Sequence, residues 1–229
     1  MPNQQPVLGV IVVAAGASTR MGIDKIFTKI AGYPVIYHTL QCFQTHPLVK
    51  HICVVVESSK IPIMEQIVAE NNFSKVEHIC AGGNTRQESV QSGLKELSPT
   101  QFVGIHDGAR PCINHETITN CITQAQIHGN AITAIPVTDT IKKIDNTNQI
   151  MHTIDRSQLW QAQTPQIFTL ETLQQSYDVV SKEFTDDSSL LESLNIKIHV
   201  SMGDPTNIKI TTPVDLIMAE QIIKQSEQV

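Results

Sequence analysis

Val10-Ile11-Val12-Val13-Ala14-Ala15-Gly16-Ala17-Ser18-Thr19-Arg20-Met21-Gly22, with Lys25 three residues further on, is the stretch on which the reading of this chain turns. An unbroken apolar run of strand length, without polar alternation, is what a strand covered on both faces of a parallel sheet needs. The small residues that follow let main-chain N–H groups come close to a ligand, and Arg20 and Lys25 add positive charge where the loop opens. Such a loop suits a polyphosphate. It also fits an ordinary glycine-rich turn carrying two surface cations, so it needs company from elsewhere in the chain. No Gly-Lys-Ser/Thr follows, which excludes a P-loop, and Gly16 and Gly22 do not make the dinucleotide G-x-G-x-x-G spacing.

Working outward, strand-like runs at 7–14, 51–56, 76–80, 102–106 and 131–136 alternate with segments whose apolar residues recur every three or four positions. Helices are predicted near 34–45, 61–71, 87–97, 115–128, 170–181, 187–194 and 213–225. This alternation predicts an α/β fold in three layers, a mostly parallel twisted sheet covered by helices. Thr85-Arg86-Gln87-Glu88 fits a capping box, and Thr212-Pro213-Val214-Asp215 places a cap before a proline and an acid in the first turn. The segment 138–154 breaks the rhythm. Residues 140–144 and 150–154 bracket a polar Asp145-Asn146-Thr147-Asn148 turn, which reads as a protruding β-hairpin, and a hairpin of this length needs a body or a partner to lie on. A dimerisation arm within about 138–156 is the expectation.

At 229 residues the chain has the length of one α/β domain, and a single domain over 1–229 is expected. A formal charge of −6, 4% aromatic residues and no long basic run argue against a nucleic-acid surface. The five cysteines, at 42, 53, 80, 112 and 121, are odd in number and lack C-x-x-C spacing, so they read as buried thiols of a reducing compartment. The amino terminus lacks signal-peptide dimensions and no stretch approaches a membrane span, which makes the cytoplasm the expected location. The nine histidines show no metal-binding spacing, His106 reads as structural, and Ser18, Ser89 and Ser188 lack a G-x-S-x-G elbow.

In open parallel sheets ligands gather where strands end. After the first run stand Gly16, Arg20 and Lys25; after the third, Ala81-Gly82-Gly83-Asn84-Thr85-Arg86; after the fourth, His106-Asp107-Gly108-Ala109-Arg110-Pro111. Asp107 is the candidate Mg²⁺ ligand, because magnesium commonly uses one or two carboxylates and takes its other oxygens from water and substrate phosphates. An Asp capping the next turn is the plain alternative. Asn207-Ile208-Lys209-Ile210-Thr211 reads as an alternating strand whose Lys209 either faces the phosphates or is solvated at an edge. Glu57 is taken as a surface carboxylate. The segment 155–166 shows little periodicity of either kind; Arg156 and Thr164 there suit a phosphate or polyol, and Trp160 a core anchor.

Together, Ala14-Ala15-Gly16-x-x-x-Arg20-Met21, Gly82-Gly83-x-x-Arg86-x-x-Ser89-Val90, His106-Asp107-Gly108-Ala109-Arg110-Pro111, Asp139-Thr140, Asp155-Arg156, Gln163-Thr164-Pro165-Gln166 and Asn207-Ile208-Lys209 resemble the 2-C-methyl-D-erythritol 4-phosphate cytidylyltransferase family, in order and from about residue 8 to residue 223. The resemblance implies a Rossmann-like nucleotidyltransferase that takes CTP and a polyol phosphate, works with Mg²⁺ and forms a homodimer through exchanged arms. By that resemblance Ala14, Ala15, Gly16, Gly83 and Ser89 hold the cytidine, and Arg20, Lys25 and Lys209 surround the triphosphate, Arg20 and Lys25 as the catalytic pair. Asp107 faces metal and substrate. Arg110, Thr164 and Thr185 line the acceptor pocket, and Thr140 and Arg156 reach in from a second subunit.

Two positions depart from the family pattern. Asp24-Lys25-Ile26-Phe27 stands where Pro-Lys-Gln and an aromatic are usual, after a shorter loop, and Asn84 stands where an acid is frequent. Competing readings are a ribitol 5-phosphate cytidylyltransferase of the same fold, a silent nucleotide-binding protein, and a dehydrogenase, the last disfavoured by the missing dinucleotide fingerprint.

Overall fold

Leu8–Val13 forms a strand, β1, whose first five residues are buried, as an apolar run without alternation requires. The computed structural model describes residues 7–16, 22, 24–180 and 182–226. After β1 come two short strands, β2 (Lys29–Ile30) and β3 (Tyr33–Pro34), then α1 (Val35–Thr45), β4 (Val49–Val56), α2 (Ile61–Glu70), β5 (Val76–Ala81), α3 (Arg86–Glu96) and β6 (Phe102–Asp107). The second half holds α4 (His115–His128), β7 (Asn130–Pro136), β8 (Lys142–Ile144), β9 (Ile150–Thr153), β10 (Trp160–Thr169), α5 (Leu170–Val179), α6 (Asp187–Ser193), β11 (Val200–Met202) and α7 (Pro213–Ser226).

Seven strands make the central sheet in the order β11-β7-β10-β6-β1-β4-β5. β6, β1, β4 and β5 run parallel, β11 runs parallel to β7, and β10 alone is antiparallel to its neighbours β6 and β7. Alternate residues feed two cores. Val10, Val12, Val54 and Val56 pack with Leu40 and Phe43 of α1, Met64 of α2, Ile118 and Ile122 of α4 and Ala219 of α7. Ile11, Val55, Val103 and Ile105 pack on the other face with Val90 and Leu94 of α3, Leu173 and Tyr177 of α5 and Leu190 of α6. Each fully buried aliphatic side chain contributes about 1.5–3 kcal/mol, so the two cores fix three layers and hold the strand ends in register.

The helices and the five apolar strand runs read from periodicity are present, the alternating strand expected at 207–211 is not, and β10 is the main addition. Residues 155–166 do not form one irregular segment, because β10 begins at Trp160 and runs for ten residues through the centre of the sheet. Its glutamines and Pro165 hide it. Gln163 donates through Nε2 to Asp204 O, Gln166 donates to Asp186 and accepts from Ser188 N–H, and the ladder shifts between Ala162 and Gln166, around the cis Thr164-Pro165 bond. A proline without an N–H is tolerated in a central strand at such a bulge. Trp160 is 41% exposed, so it is no core anchor. Residues 207–211 are not a strand either; they form a crossing whose contacts go to Arg110, just past β6, and to Thr164 within β10, and the last strand of the chain is instead β11.

Of the two helix starts, α3 is capped by Thr85, whose side chain accepts from Glu88 N–H, while the Glu88 carboxylate reaches past it to Asn84 N–H at 2.6 Å. α7 is capped from within: Asp215 Oδ2 accepts from Thr211 and Thr212 N–H, both at 2.7 Å. A reciprocal capping box stands at α6, between Asp186 and Ser189.

β8 and β9 pair as an antiparallel hairpin apart from the main sheet. All their residues are exposed, including Ile144, Ile150 and Met151. Asp145 Oδ1 closes the turn by accepting from Thr147 N–H, Thr147 hydroxyl and Gln149 N–H, which draws its carboxyl below the ordinary range. The hairpin grows out of β7 and β10, whose pairing continues outward through Pro136 opposite Trp160 and Val137 N–H to Leu159 O.

Candidate active site

β1 and β6 are paired through Val13 and Asp107, Ala14 N–H bonds Val55 O, and Gly82 N–H bonds Val56 O, so four parallel strands end at one level. There is room for this only because of glycine. A Cβ on Gly82 would run into the Ala15 methyl, and one on Gly108 would lie 3.0 Å from the Ala14 methyl. The loops after β1, β5 and β6 therefore close over one cleft of about 460 Å³. Val13, Ala14, Ala15, Gly16, Lys25, Gly83, Asn84, Ser89, Ala109 and Glu57 at the rim contribute to its lining, together with Arg86, Asp107 and Lys209.

A second cavity of about 240 Å³ adjoins it, lined by Arg110, Ala162, Gln163, Thr164, Gln166, Thr185 and Asp186, and again by Arg86, Asp107 and Lys209. Those last three side chains are the wall between the two spaces. Asp107 ends β6 with its side chain 11% exposed, facing Lys209 Nζ at 2.9 Å, Arg86 Nε at 3.4 Å and Arg110 Nε at 3.5 Å. Burial alone would raise the Asp107 carboxyl; the three cations outweigh it and hold the group well below the usual carboxylate range. Arg86 also donates to Asp187 Oδ2 at 2.8 Å, and burial, which would lower its guanidinium, is overcome by Asp187 and Asp107. Arg110 is lowered, since burial exceeds the help it gets from Asp107. Within the cluster itself Arg86, Arg110 and Lys209 face Asp107 and Asp187, one positive charge in excess; Lys25 at the larger cavity is matched in number by Glu57 at its rim, and Asp186 lines the smaller. The excess at the wall suits an anion.

Hydrogen bonds fix these groups from behind. Asp107 N–H donates to Thr164 Oγ1 at 3.1 Å, and His106 Nδ1 lies 3.1 Å from the same hydroxyl. His106 Nε2 faces Arg110 O at 3.3 Å, so that nitrogen carries the proton and Thr164 donates to Nδ1. Full burial pushes the His106 ring down to about 3, and the side chain stands as a neutral strut. Arg110 donates to Asn207 O at 2.8 Å, Asn207 donates to Thr164 O at 2.8 Å, Ile210 N–H bonds Ala109 O, and Lys25 Nζ donates to Ile210 O at 2.9 Å. The crossing at 207–210 thus carries Lys209 to Asp107 without a strand to hold it.

The sequence-derived candidates divide cleanly. Lys25, Ala14, Ala15, Gly16, Gly83 and Ser89 meet at the larger cavity, Arg110, Thr164 and Thr185 at the smaller, and Asp107 and Lys209 at both. Ser89 is buried and donates its hydroxyl to Thr85 O. Thr140 and Arg156 belong to the hairpin region and line neither cavity; Arg156 bonds Thr138 O. Arg20 lies outside the described residues. Arg86 and Asp187 were not singled out from sequence. Arg86 does carry a signal, since it opens α3 and a cation at a helix N-terminus opposes the macrodipole unless an acid holds it.

Among the described residues no group of three or more His, Cys, Asp or Glu side chains could hold a metal on its own, and no helix is long and apolar enough to cross a membrane. The IspD family model, 2-C-methyl-D-erythritol 4-phosphate cytidylyltransferase, matches residues 8–225. The enzyme of that name from Dehalococcoides mccartyi strain CBDB1 is 44% identical over 219 residues, covering 95% of this chain and 96% of that protein; the one from Clostridium tetani is 40% identical over 224 residues, covering 96% and 91%. The crystal structure of 4-diphosphocytidyl-2C-methyl-D-erythritol synthase from Anaerococcus prevotii DSM 20548 superposes with a TM-score of 0.85 at 28% identity, over 96% of this chain and 97% of that one. A glycine-lined anion cleft beside a smaller polar cavity, on a chain matched over nearly its full length, leads to one conclusion: the chain belongs to the 2-C-methyl-D-erythritol 4-phosphate cytidylyltransferase family and transfers a cytidylyl group from CTP to 2-C-methyl-D-erythritol 4-phosphate, releasing pyrophosphate, in isoprenoid biosynthesis.

Proposed function

We propose that the two cavities divide the reaction between them, CTP in the larger and methylerythritol phosphate in the smaller, with transfer across the wall of Arg86, Asp107 and Lys209. The observation that carries this reading is that the same three side chains line both spaces. Main-chain groups of Ala14, Ala15, Gly16 and Gly83, with Ser89, receive the cytidine, and Lys209 receives phosphate. Arg110, Thr164 and Thr185 receive the acceptor, and Asp107 faces both substrates.

A phosphate monoester has its second pKa near about 6, so at neutral pH the acceptor is already largely a dianion and needs no protein base. His106, buried and neutral, is not called upon. The difficulty is to bring that dianion in line with an α-phosphate that is itself anionic. Positioning and fixed cations meet it: Arg20 and Lys25 stabilise the charge that develops on the five-coordinate phosphorus and the departing pyrophosphate, while Lys209 offsets repulsion between the reactants.

A divalent cation fits the donor set here. Asp107 supplies one hard carboxylate at the wall, with three of its roughly four acceptor positions taken, and Mg²⁺ commonly draws its remaining oxygens from phosphates and water. When bound, Mg²⁺ supplies charge neutralisation to the triphosphate. The working assembly is a homodimer in the cytoplasm, one domain per chain. Thr140 and Arg156 of each hairpin complete the acceptor cavity of the other subunit, which agrees with their absence from the lining of both cavities in their own chain and with an arm whose strands are exposed throughout. Five free thiols suit a reducing location.

Pyrophosphate release with CTP and Mg²⁺ tests the reading, with methylerythritol phosphate as acceptor in one reaction and ribitol 5-phosphate in the other. Release with methylerythritol phosphate alone is expected. Release with ribitol phosphate alone would reassign the acceptor cavity.

A further inference from the structure

Arg86 stands at the wall between both cavities, and what holds it there lies outside both. Its Nη1 donates to Asp187 Oδ2 at 2.8 Å, and Tyr177 Oη donates to Asp187 Oδ1 at 2.7 Å. The Asp187 side chain is fully buried. The carboxylate thus ties α3, α5 and α6 together at one point, and α6 is itself pinned to β10, since Gln166 donates to Asp186 and accepts from Ser188 N–H.

A buried carboxylate is a poor source of net stability, because desolvation consumes most of the attraction it gains. Its effect on geometry is larger. A guanidinium is a flat fork, and one carboxylate at Nη1 and another at Nε fix both its place and its plane. Without the charge of Asp187, Arg86 would be drawn to Asp107 alone and would compete there with Arg110 and Lys209. Lys209, 41% exposed, is the member most easily displaced, and the wall would change on both sides at once.

We propose that Asp187, supported by Tyr177, is a positioning residue of this reaction: it holds the Arg86 guanidinium on the wall shared by the two cavities and acts on both substrates through that one group. The proposal rests on the division of substrates given above.

The test is a mutant cycle on the full-length enzyme, with kcat and KM for CTP and for methylerythritol phosphate, and thermal unfolding as a check of fold. Displacing a positioned group by about 1 Å can cost on the order of 10²-fold, so Asp187→Asn should lower kcat/KM for both substrates together by about 30-fold, and Tyr177→Phe, which keeps the ion pair, by about 3-fold. Arg86→Ala should lose at least as much as Asp187→Asn. In the Arg86→Ala background, Asp187→Asn should then cost less than about 2-fold more, because a residue acting only through Arg86 has nothing left to act on.

Additive losses in the double variant, a loss confined to one substrate, or wild-type turnover of Asp187→Asn would each overturn the proposal. If Asp187→Asn does not fold, the same cycle is run with Tyr177→Phe, and additivity there overturns it equally. An active Arg86→Ala enzyme would overturn both the relay and the shared wall; an inactive Arg86→Ala beside a fully active Asp187→Asn would overturn the relay and leave the wall standing.

Discussion

At the end of β6, five charged side chains from distant parts of the chain share one cluster, with Asp107 and Asp187 each meeting a cation within 3 Å. In β8 and β9 no residue is buried, and the hairpin is held by its own ladder and one aspartate turn. The first region is held by the chain's own groups, since its carboxylates are paired with cations and its backbone is tied down through Thr164, His106 and Asn207. The second leaves Ile144, Ile150 and Met151 facing outward, and a two-stranded ribbon has little stability of its own. Preorganised charge suits a reaction whose cost is repulsion between anions. A bare ribbon suits a contact completed by another surface.

If the contrast is real, damage to the built region should strike turnover while the fold stands. Lys25→Ala is expected to lower kcat by about 10³-fold, a size typical of losing a preorganised charge at a developing anion, with an unchanged thermal midpoint. Asp107→Asn should lower activity by about 10²-fold and weaken its dependence on Mg²⁺. An unaltered magnesium titration would remove Asp107 from the metal.

The interior also sets a pH limit. Burial, aided by His115, pushes His46 down to about 4, and burial pushes His106 down to about 3, so both are neutral in the fold and take up protons more readily once unfolded. The sign follows: their contribution is complete above the ordinary histidine range and is lost as pH falls below it. Between about pH 7.5 and 5.5 each should cost about 1.4 kcal/mol, so the unfolding free energy should drop by about 3 kcal/mol, measured by denaturant titration at each pH. A flat profile there would mean that the strut behind Asp107 is less closed than its hydrogen bonds imply.

The smallest effect belongs to the arm. Arg156→Ala should raise KM for methylerythritol phosphate by about 10-fold and KM for CTP by less than about 2-fold, as expected for one charge-assisted contact to a phosphate. Equal losses for both substrates would merge the two regions that the contrast separates.

How far the sequence alone could carry this follows from how each part is stabilised. β1, β4, β6 and β7 are largely apolar runs whose burial is written in their composition, and the helices between them carry their own periodicity. β10 is held through glutamine side chains, a buried threonine and a bulge at Pro165, all of which look like loop when read locally. Lys209 could be suspected, but its support comes from the Arg110 side chain on Asn207 O and from Ile210 N–H on Ala109 O, bonds between segments about 100 residues apart that no local pattern encodes. Arg86 lay within a motif already noticed, and the unfavourable placing of a cation at the start of α3 was the missed clue. Asp187 offered less, being the second of two adjacent acids of which the first caps α6.

β7 and β10 serve two regions at once. β10 carries Gln163 and Thr164 on the smaller cavity, and beyond Pro136 and Trp160 the paired β7 and β10 run on into the arm. A second subunit that grips the arm would therefore restrain the strand that floors the acceptor cavity. Association and acceptor binding would then be reciprocally linked equilibria, each tightening the other by the same factor. If the arm joins two subunits as proposed, the KM for methylerythritol phosphate should fall as enzyme concentration rises through the dimerisation constant, while the KM for CTP, assigned to the other cavity in that proposal, should move less.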